Sequence, residues 1–387
     1  MTGLLLFTPD FLKVSLAVPI IREVFLYSEL ISFLRDNKSL LTLLLSFSLT
    51  VFLLPQLGRL ASRIGLVDHP NRRKIHSEPK PLIGGLAMAL AVALTGLLFI
   101  PLVNLRGFYA GVVLLVVTGF LDDFGELNHR YKFLAQVFAA FLIMYFSKVY
   151  LHTFGDLLSF GSIDFPALGI PMTMLGIVGV CNAMNMIDGL DGLAGGISLT
   201  VFSSFAVLSF LYDKPVFMLL NLALCGSLAG FLIFNWPPAK LFMGDAGSLF
   251  LGFAAGFMAI ALTQGEGSLI TPVTPLLILA VPIVDTVTMM TKRIIKKKNP
   301  FFADNRHLHH ILVKMGYTKR QTSGIIILIS VFFSLLAIAG NILAIPEYYL
   351  FSFFMAYFLA YFTASFFIKK MVKKRAKLSV RFNTPLL

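Results

Sequence analysis

Residues 182–192 read Asn182-Ala-Met-Asn185-Met-Ile-Asp188-Gly-Leu-Asp191-Gly192, and they lie between apolar runs long enough to cross a membrane. Asn182 and Asn185, and Asp188 and Asp191, are each spaced i, i+3, which is one face if the segment is helical. Carboxylates set against hydrocarbon need a metal, a cation or a water-filled cleft. Glycines at 189, 192, 195 and 196 permit close approach of a ligand or of a neighbouring helix.

The apolar runs on either side recur along the whole chain. Of its 387 residues, 57% are hydrophobic and only 13% charged, and mean hydropathy is +0.85. This composition belongs to an all-α polytopic integral membrane protein, not to a soluble core. About eleven transmembrane helices are expected, near residues 40–57, 83–103, 107–121, 133–151, 169–187, 191–212, 215–234, 246–264, 269–291, 322–343 and 346–367. Residues 40–367 read as one membrane domain, followed by a basic tail over 368–387. Residues 1–39 carry Asp10, Lys13, Arg22, Glu23 and Arg35 among apolar residues, the pattern of an interfacial amphipathic helix. They lack the clean apolar run of a signal peptide. Residues 153–168 alternate weakly, as a small hairpin would. Cys181 and Cys225 both lie in apolar surroundings and imply no disulfide framework.

A net charge of +13 raises the question of nucleic acid, but the distribution of charge answers it otherwise. Loops after odd-numbered spans, with the C-terminal tail, hold 25 of the 32 Lys and Arg; loops on the other side hold 3. The positive-inside rule makes the first set cytoplasmic. Asp68, Asp122, Asp123, Asp188, Asp191, Asp245, Asp304 and a His cluster fall in or beside those same loops. A transporter would place its acids near the midplane, between repeats. Acids gathered at one face suit chemistry between a soluble reactant and a lipid head group.

Each loop has a plain reading beside its chemical one. Asp68 opens a first loop with Arg72, Arg73, Lys74 and His76, ending in Gly84-Gly85. Basic residues and a glycine pair at a helix start can meet phosphate, and so can any positive-inside loop with turn residues. Asp122-Asp123 are adjacent carboxylates at a helix end, followed by Lys132; they suit a divalent cation or a cation cluster, and equally a solvated helix end with Lys132 snorkelling. Phe242-Met-Gly-Asp245 offers an aromatic and an acid after Trp236-Pro-Pro, where an N-cap acid is the simpler reading. Asp285, behind Pro282, is a site candidate or a packing partner for a nearby Arg. Arg306-His307-Leu-His309-His310 suits binding of phosphate oxygens better than zinc, since no Cys or paired acid completes a ligand set.

Taken together, LVDHPNRRKIHSEPKPLIGG, GFLDDFGELNHRYKFLAQ, NAMNMIDGLDGLAGG, LFMGDAGSLFLG, PIVDT and DNRHLHH, in that order over residues 66–310, resemble the polyprenyl-phosphate N-acetylhexosamine-1-phosphate transferases. These enzymes start O-antigen, enterobacterial common antigen and teichoic-acid linkage synthesis. The His-x-His-His form and the Pro-x-x-Asp resemble the hexosamine branch, not the related phospho-MurNAc-pentapeptide transferases. Residues 1–39 show no such match.

The resemblance implies an active site built from cytoplasmic loops, in a multi-pass protein of the inner (cytoplasmic) membrane. The implied partners are a UDP-N-acetylhexosamine and a polyprenyl phosphate, with Mg²⁺ or Mn²⁺ as cofactor and UMP as the product released. It makes Asp245 the principal metal ligand with Asn185 a second, and Asp191 and Phe242 the uracil contacts. It turns Asn182 to the nucleotide or pyrophosphate and Lys132 to the lipid phosphate, with Asp68 also binding substrate. Arg306, His307, His309 and His310 clamp the pyrophosphate or sugar. Asp122, Asp123 and Asp188 fall among the catalytic acids, with Asp122 as base or nucleophile and Asp188 as catalytic, water-ordering or structural. No nucleic acid is implied, and a homodimer is compatible. UDP-MurNAc-pentapeptide or another amino sugar is the alternative donor, and an anionic-lipid transporter is the alternative of a different class.

Overall fold

A computed structural model describes residues 37–69, 78–265, 268–297 and 307–382. The chain is helical almost throughout. In order the helices are α1 (Lys38–Ile64), α2 (Gly84–Phe99), α3 (Arg106–Gly125), α4 (His129–Ser147), α5 (Gly169–Ile187), α6 (Leu193–Leu211), α7 (Pro215–Asn235), α8 (Gly244–Thr263), α9 (Val273–Ile278), α10 (Ala280–Ile295), α11 (Leu308–Lys314), α12 (Lys319–Ile342) and α13 (Glu347–Phe382). Among the described residues, eight helices are long and apolar enough to cross a membrane: α1, α3, α5, α6, α7, α8, α12 and the apolar part of α13. α2 is a shorter apolar helix of 16 residues.

Every expected span falls on helix, but the ninth is not one rod. Residues 269–291 divide into α9 and α10, with the break at Leu279 between Pro275 and Pro282. Two prolines seven residues apart each remove a backbone donor, so the ladder is interrupted there. Over the basic tail the last helix, α13, continues to Phe382. Of the 1–39 segment, residues 1–36 lie outside the described part. The expected hairpin at 153–168 is reduced to one antiparallel bridge, Thr153 to Asp164, supported by Phe154 N–H donating to Ile163 O.

The bundle is arranged around α8. Of its 20 residues only Asp245 and Ala259 are not buried, so it presents apolar surface to protein on all sides. Lipid tails are as apolar as leucine, so close backbone approach must supply the packing energy. A β-carbon added at Gly85 of α2 would overlap the Gly247 backbone, and one at Gly119 of α3 would overlap Ala246. On the third side a β-carbon at Gly252 would stand 2.6 Å from Cα of Cys181 in α5. Three neighbours therefore touch α8 backbone to backbone.

A two-stranded ribbon joins α1 to α2. β1 (Val67–Asp68) pairs antiparallel with β2 (Lys80–Pro81), matching Val67 to Pro81 and Asp68 to Lys80. Beyond β2 the chain lies beside residues 242–243: Phe242 N–H donates to Pro81 O at 2.9 Å, Gly84 N–H to Phe242 O at 3.0 Å and Gly85 N–H to Met243 O at 2.8 Å. This corrects the reading of the glycine pair. Its amides are consumed by backbone carbonyls, and its missing side chains make room for the Phe231 ring of α7 at Gly84 and for α8 at Gly85, so it is packing and not a phosphate cradle.

Candidate active site

α3 carries Asp122 and Asp123 in its last turn. Glu126 ends the helix in the left-handed region at φ 48°, and its N–H returns to Asp122 O. Asn128 then caps α4 by accepting from Arg130 N–H at 3.0 Å. The tight reversal brings Lys132 back over the end of α3. Lys132 Nζ donates to Asp122 Oδ2 at 2.8 Å and to Asp245 Oδ2 at 2.9 Å. Asp122 Oδ1 accepts from Leu127 N–H at 2.7 Å. One ammonium thus bridges carboxylates from two loops 123 positions apart (122 and 245), and partial shielding makes such charge-assisted bonds stronger than surface pairs.

Asp123 faces the other way. Its Oδ1 accepts from Asp245 N–H at 2.8 Å and its Oδ2 from Ala246 N–H at 3.2 Å. These are among the first amides of α8, which have no partner within the helix and carry the positive end of its dipole. Gly244 enters the helix at φ +73°, and a β-carbon there would overlap Asp123 Oδ2. Asp123 is therefore the N-terminal cap of the helix that presents Asp245. The resemblance placed it among the catalytic acids; its geometry is that of a positioning residue.

The 182–192 stretch forms the next wall. α5 ends at Ile187, so Asn182 and Asn185 lie on its last turns and Asp188 and Asp191 in the loop beyond. Asn185 Nδ2 donates to Asp245 Oδ1 at 3.0 Å and to Ser248 Oγ at 2.8 Å. Asn182 Nδ2 donates to Gln136 Oε1 of α4 at 2.8 Å and to Val178 O at 2.7 Å. Asp191 Oδ2 accepts from Ala239 N–H at 3.1 Å, while Ser323 of α12 donates to its carbonyl. Gly192 N–H donates to Asn235 Oδ1, and Asn235 Nδ2 in turn holds Leu241 O. The loop between α7 and α8 is thereby fastened to the loop between α5 and α6. Asp188 has no hydrogen-bond partner for its carboxylate among the described residues. Burial, with the charges of Asp245 and Asp191, pushes that carboxyl up to about 7.

The fourth wall comes from α10 and α11. His307 Nδ1 is 2.8 Å from Asp285 Oδ2, and Leu308 N–H donates to Asp285 Oδ1 at 3.1 Å. Tyr361 of α13 donates its hydroxyl to the same Oδ1. The partners of Asp285 thus include an imidazole and a phenol, where a nearby Arg had been an expectation. His307 stacks on His309 with ring centroids 5.8 Å apart, and His309 meets His310 at 4.2 Å. A β-carbon on Gly189 would overlap His309 Nε2. The histidines accordingly sit against the loop that carries Asp188.

His309 is 2% exposed and its Nδ1 has no hydrogen-bond partner. Burial first, and then the neighbouring imidazoles of His310 and His307, push its pKa down to about 3.

Asp122, Asp123, Lys132, Asn185 and Asp245 are joined by direct bonds, and Asn182, Asp188, Asp191, His307, His309 and His310 border them. Asp68 lies on the β1 ribbon, opposite Lys80. Phe242 is held by its backbone, with its ring half-buried. Arg306 and Asp304, like Arg72, Arg73, Lys74 and His76, lie outside the described residues. Gln136, Ser248, Asn235 and Tyr361 were not among the expected site residues. The first three are polar residues at the loop ends of apolar helices, a signal that was available. Tyr361 is one of many aromatics in the last span and gave none.

The residues fit a hard divalent cation. Asp245 and Asp122 are hard carboxylate donors beside one ammonium, Lys132, and the Asn185 side chain, which now turns Nδ2 to Asp245 Oδ1, carries the amide oxygen that a cation displacing that bond would take. Among the described residues no three His, Cys, Asp or Glu converge into a closed cage. Mg²⁺ characteristically takes one or two carboxylates and keeps its remaining positions for water and phosphate.

The sequence profile of Glycosyl transferase family 4 matches residues 105–263, which run from the start of α3 to the end of α8. A Bacillus subtilis (strain 168) protein named as a probable undecaprenyl-phosphate N-acetylglucosaminyl 1-phosphate transferase is 33% identical over 314 residues, covering 79% of this chain and 85% of its own. The undecaprenyl-phosphate alpha-N-acetylglucosaminyl 1-phosphate transferase of Yersinia pestis is 30% identical over 77% of this chain and 83% of its own. That of Escherichia coli (strain K12) is 32% identical over 73% and 77%. With likeness of this extent over most of its length, the chain belongs to glycosyl transferase family 4.

Proposed function

We propose that the protein transfers N-acetylglucosamine-1-phosphate from UDP-N-acetylglucosamine to undecaprenyl phosphate, releasing UMP, at the cytoplasmic face of the inner membrane. The observation that carries this reading is Lys132 held between Asp122 and Asp245 at 2.8 and 2.9 Å. A cation in a nest of acids, at the end of a membrane bundle where loops of 25 basic residues are expected, suits the joining of two phosphorylated substrates. The names of the relatives supply the sugar phosphate and the lipid.

Phosphoryl transfer asks mainly for positioning and charge neutralisation. A phosphate monoester has its second pKa near ~6 and is mostly dianionic at neutral pH, so the lipid phosphate needs little help from a base. Both oxygens of Asp122 are engaged, one by Leu127 N–H and one by Lys132. Asp122 therefore serves to hold Lys132 toward the lipid phosphate, and attack is direct. Asp245 with the Asn185 amide would hold Mg²⁺ (or Mn²⁺), which when bound neutralises charge on the donor's pyrophosphate. Asp191, Asn182 and Phe242 border the nucleotide, and His307, His309 and His310 the pyrophosphate or sugar.

Purified protein in detergent, given polyprenyl phosphate, Mg²⁺ and a panel of UDP-sugars, tests the proposal by UMP release. UMP and a lipid-linked sugar are expected from UDP-N-acetylglucosamine. Turnover only with UDP-MurNAc-pentapeptide would overturn the donor assignment, and no UMP from any donor would overturn the reaction.

A further inference from the structure

We infer that Tyr361 and Asp285 are positioning residues that fix the His307 imidazole for the donor, making α13 a working part of the site. The inference rests on the reading of His307 as a donor-binding residue. Asp285 is 3% exposed and His307 4%. A buried carboxylate is tolerated only when its oxygens are satisfied. Asp285 meets this with three hydrogen bonds: from His307 Nδ1 and Leu308 N–H, and from the Tyr361 hydroxyl. The Leu308 bond sets the start of α11, so the same carboxylate orients both the ring and the backbone that bears it.

The chemistry follows from which nitrogen is occupied. A carboxylate on Nδ1 requires that nitrogen to carry its proton, which settles the tautomer. Nε2, with no partner among the described residues, is then the atom left for a ligand. The ring is further held by parallel stacking on His309, with 6° between planes. Asp285 and His307 are 22 positions apart, and residues 298–306 between them lie outside the described part. Without a fixed carboxylate only the stack on His309 and the surrounding packing would set the ring's orientation.

Tyr361 fixes the carboxylate in turn. It comes from α13, beyond the residues matched by the family profile, and reaches across 76 positions of sequence. A second contact docks α13 more than a turn further along, where Lys292 Nζ of α10 lies 4.8 Å from the centre of the Phe366 ring. Without the Tyr361 hydroxyl one Asp285 lone pair is unmet, and the carboxylate can turn away from His307.

Tyr361→Phe removes a single oxygen and keeps the ring. The expected result is a rise of about tenfold in KM for UDP-N-acetylglucosamine, the loss of roughly one charge-assisted hydrogen bond. KM for polyprenyl phosphate should not change, and the thermal midpoint should fall modestly because the buried Asp285 carboxylate loses one donor. Asp285→Asn should cost more, about 10- to 100-fold, as removal of a carboxylate behind a ligand-binding histidine commonly does. The deciding measurement is a double-mutant cycle. In a His307→Gln background, Tyr361→Phe should add nothing, because the ring it positions is gone. Additive effects, or equal rises in both KM values, would overturn the inference, as would an unchanged Tyr361→Phe enzyme. If Asp285→Asn does not fold, the cycle on Tyr361 still decides. Failure of the underlying reading would look different, since His307→Gln alone would then leave KM for UDP-N-acetylglucosamine unchanged.

Discussion

Asp123→Asn separates positioning from chemistry. In the native protein both Asp123 oxygens accept from the start of α8, from Asp245 N–H at 2.8 Å and Ala246 N–H at 3.2 Å. Asparagine keeps one acceptor and turns an NH₂ toward the other amide. A hydrogen bond to a charged acceptor is lost, about 1.5–3 kcal/mol. The negative charge at the positive end of the helix dipole also goes, about 0.3–1 kcal/mol and up to ~2 when partly buried. The expected loss of stability is therefore roughly 2–4 kcal/mol. A thiol-reactive dye reads it conveniently, because Cys181 and Cys225 are both free and buried and become reactive on unfolding.

The functional consequence should appear in the metal. With α8 loosened at its first turn, Asp245 is held less firmly, so the Mg²⁺ concentration giving half-maximal UMP release should rise about tenfold or more. Near-normal turnover should return at saturating Mg²⁺. If Asp123→Asn keeps its thermal midpoint and loses all turnover at every Mg²⁺ concentration, Asp123 takes part in the chemistry and the capping argument fails.

Three further outcomes follow from the same geometry. Lys132→Met leaves Asp122 and Asp245 facing a vacated cation position, and should lower UMP release at least about 100-fold while raising KM for the lipid phosphate, with Lys132→Arg recovering part of it. Gly85→Ala drives a methyl group into the Gly247 backbone and should cost about 1–3 kcal/mol in thermal unfolding, whereas Gly58→Ala in α1, with nothing within 4 Å, should be neutral or slightly stabilising. In chelator-treated protein, the Asp188 carboxyl, raised to about 7, binds its proton more tightly when folded than when unfolded. Stability should therefore fall as pH rises from about 4 to 7, and the part of that slope due to this group should vanish in Asp188→Asn; an unchanged slope would refute the assignment.

What the sequence makes legible here is the layout. Apolar runs mark the helices, the bias of Lys and Arg marks the loops that share an end, and the loops that meet are the ones that bias groups together. What it hides is reciprocity between distant residues. Asp123 looks like half of an acid pair until α8, 122 positions on, is seen to end against it. Gly84-Gly85 looks like a phosphate cradle until its amides are found bonded to residues 242 and 243. The burial of His309 is equally hidden, since a motif does not carry the surroundings that set a group's charge. Tyr361 is invisible because one useful hydroxyl among many membrane aromatics leaves no pattern. The break between α9 and α10 was within reach, for two prolines stand on either side of it.

The seclusion of α8 bears on how the protein meets its bilayer. Hydrophobic mismatch acts on helices that touch lipid, through tilt and bending. α1 and α13 are mostly exposed, with 22% and 17% of their apolar windows buried, against 94% for α8. A change in acyl-chain length is thus absorbed at the periphery, and the helix that aims Asp245 keeps its angle. One set of reacting groups can in this way keep its alignment in membranes of differing thickness.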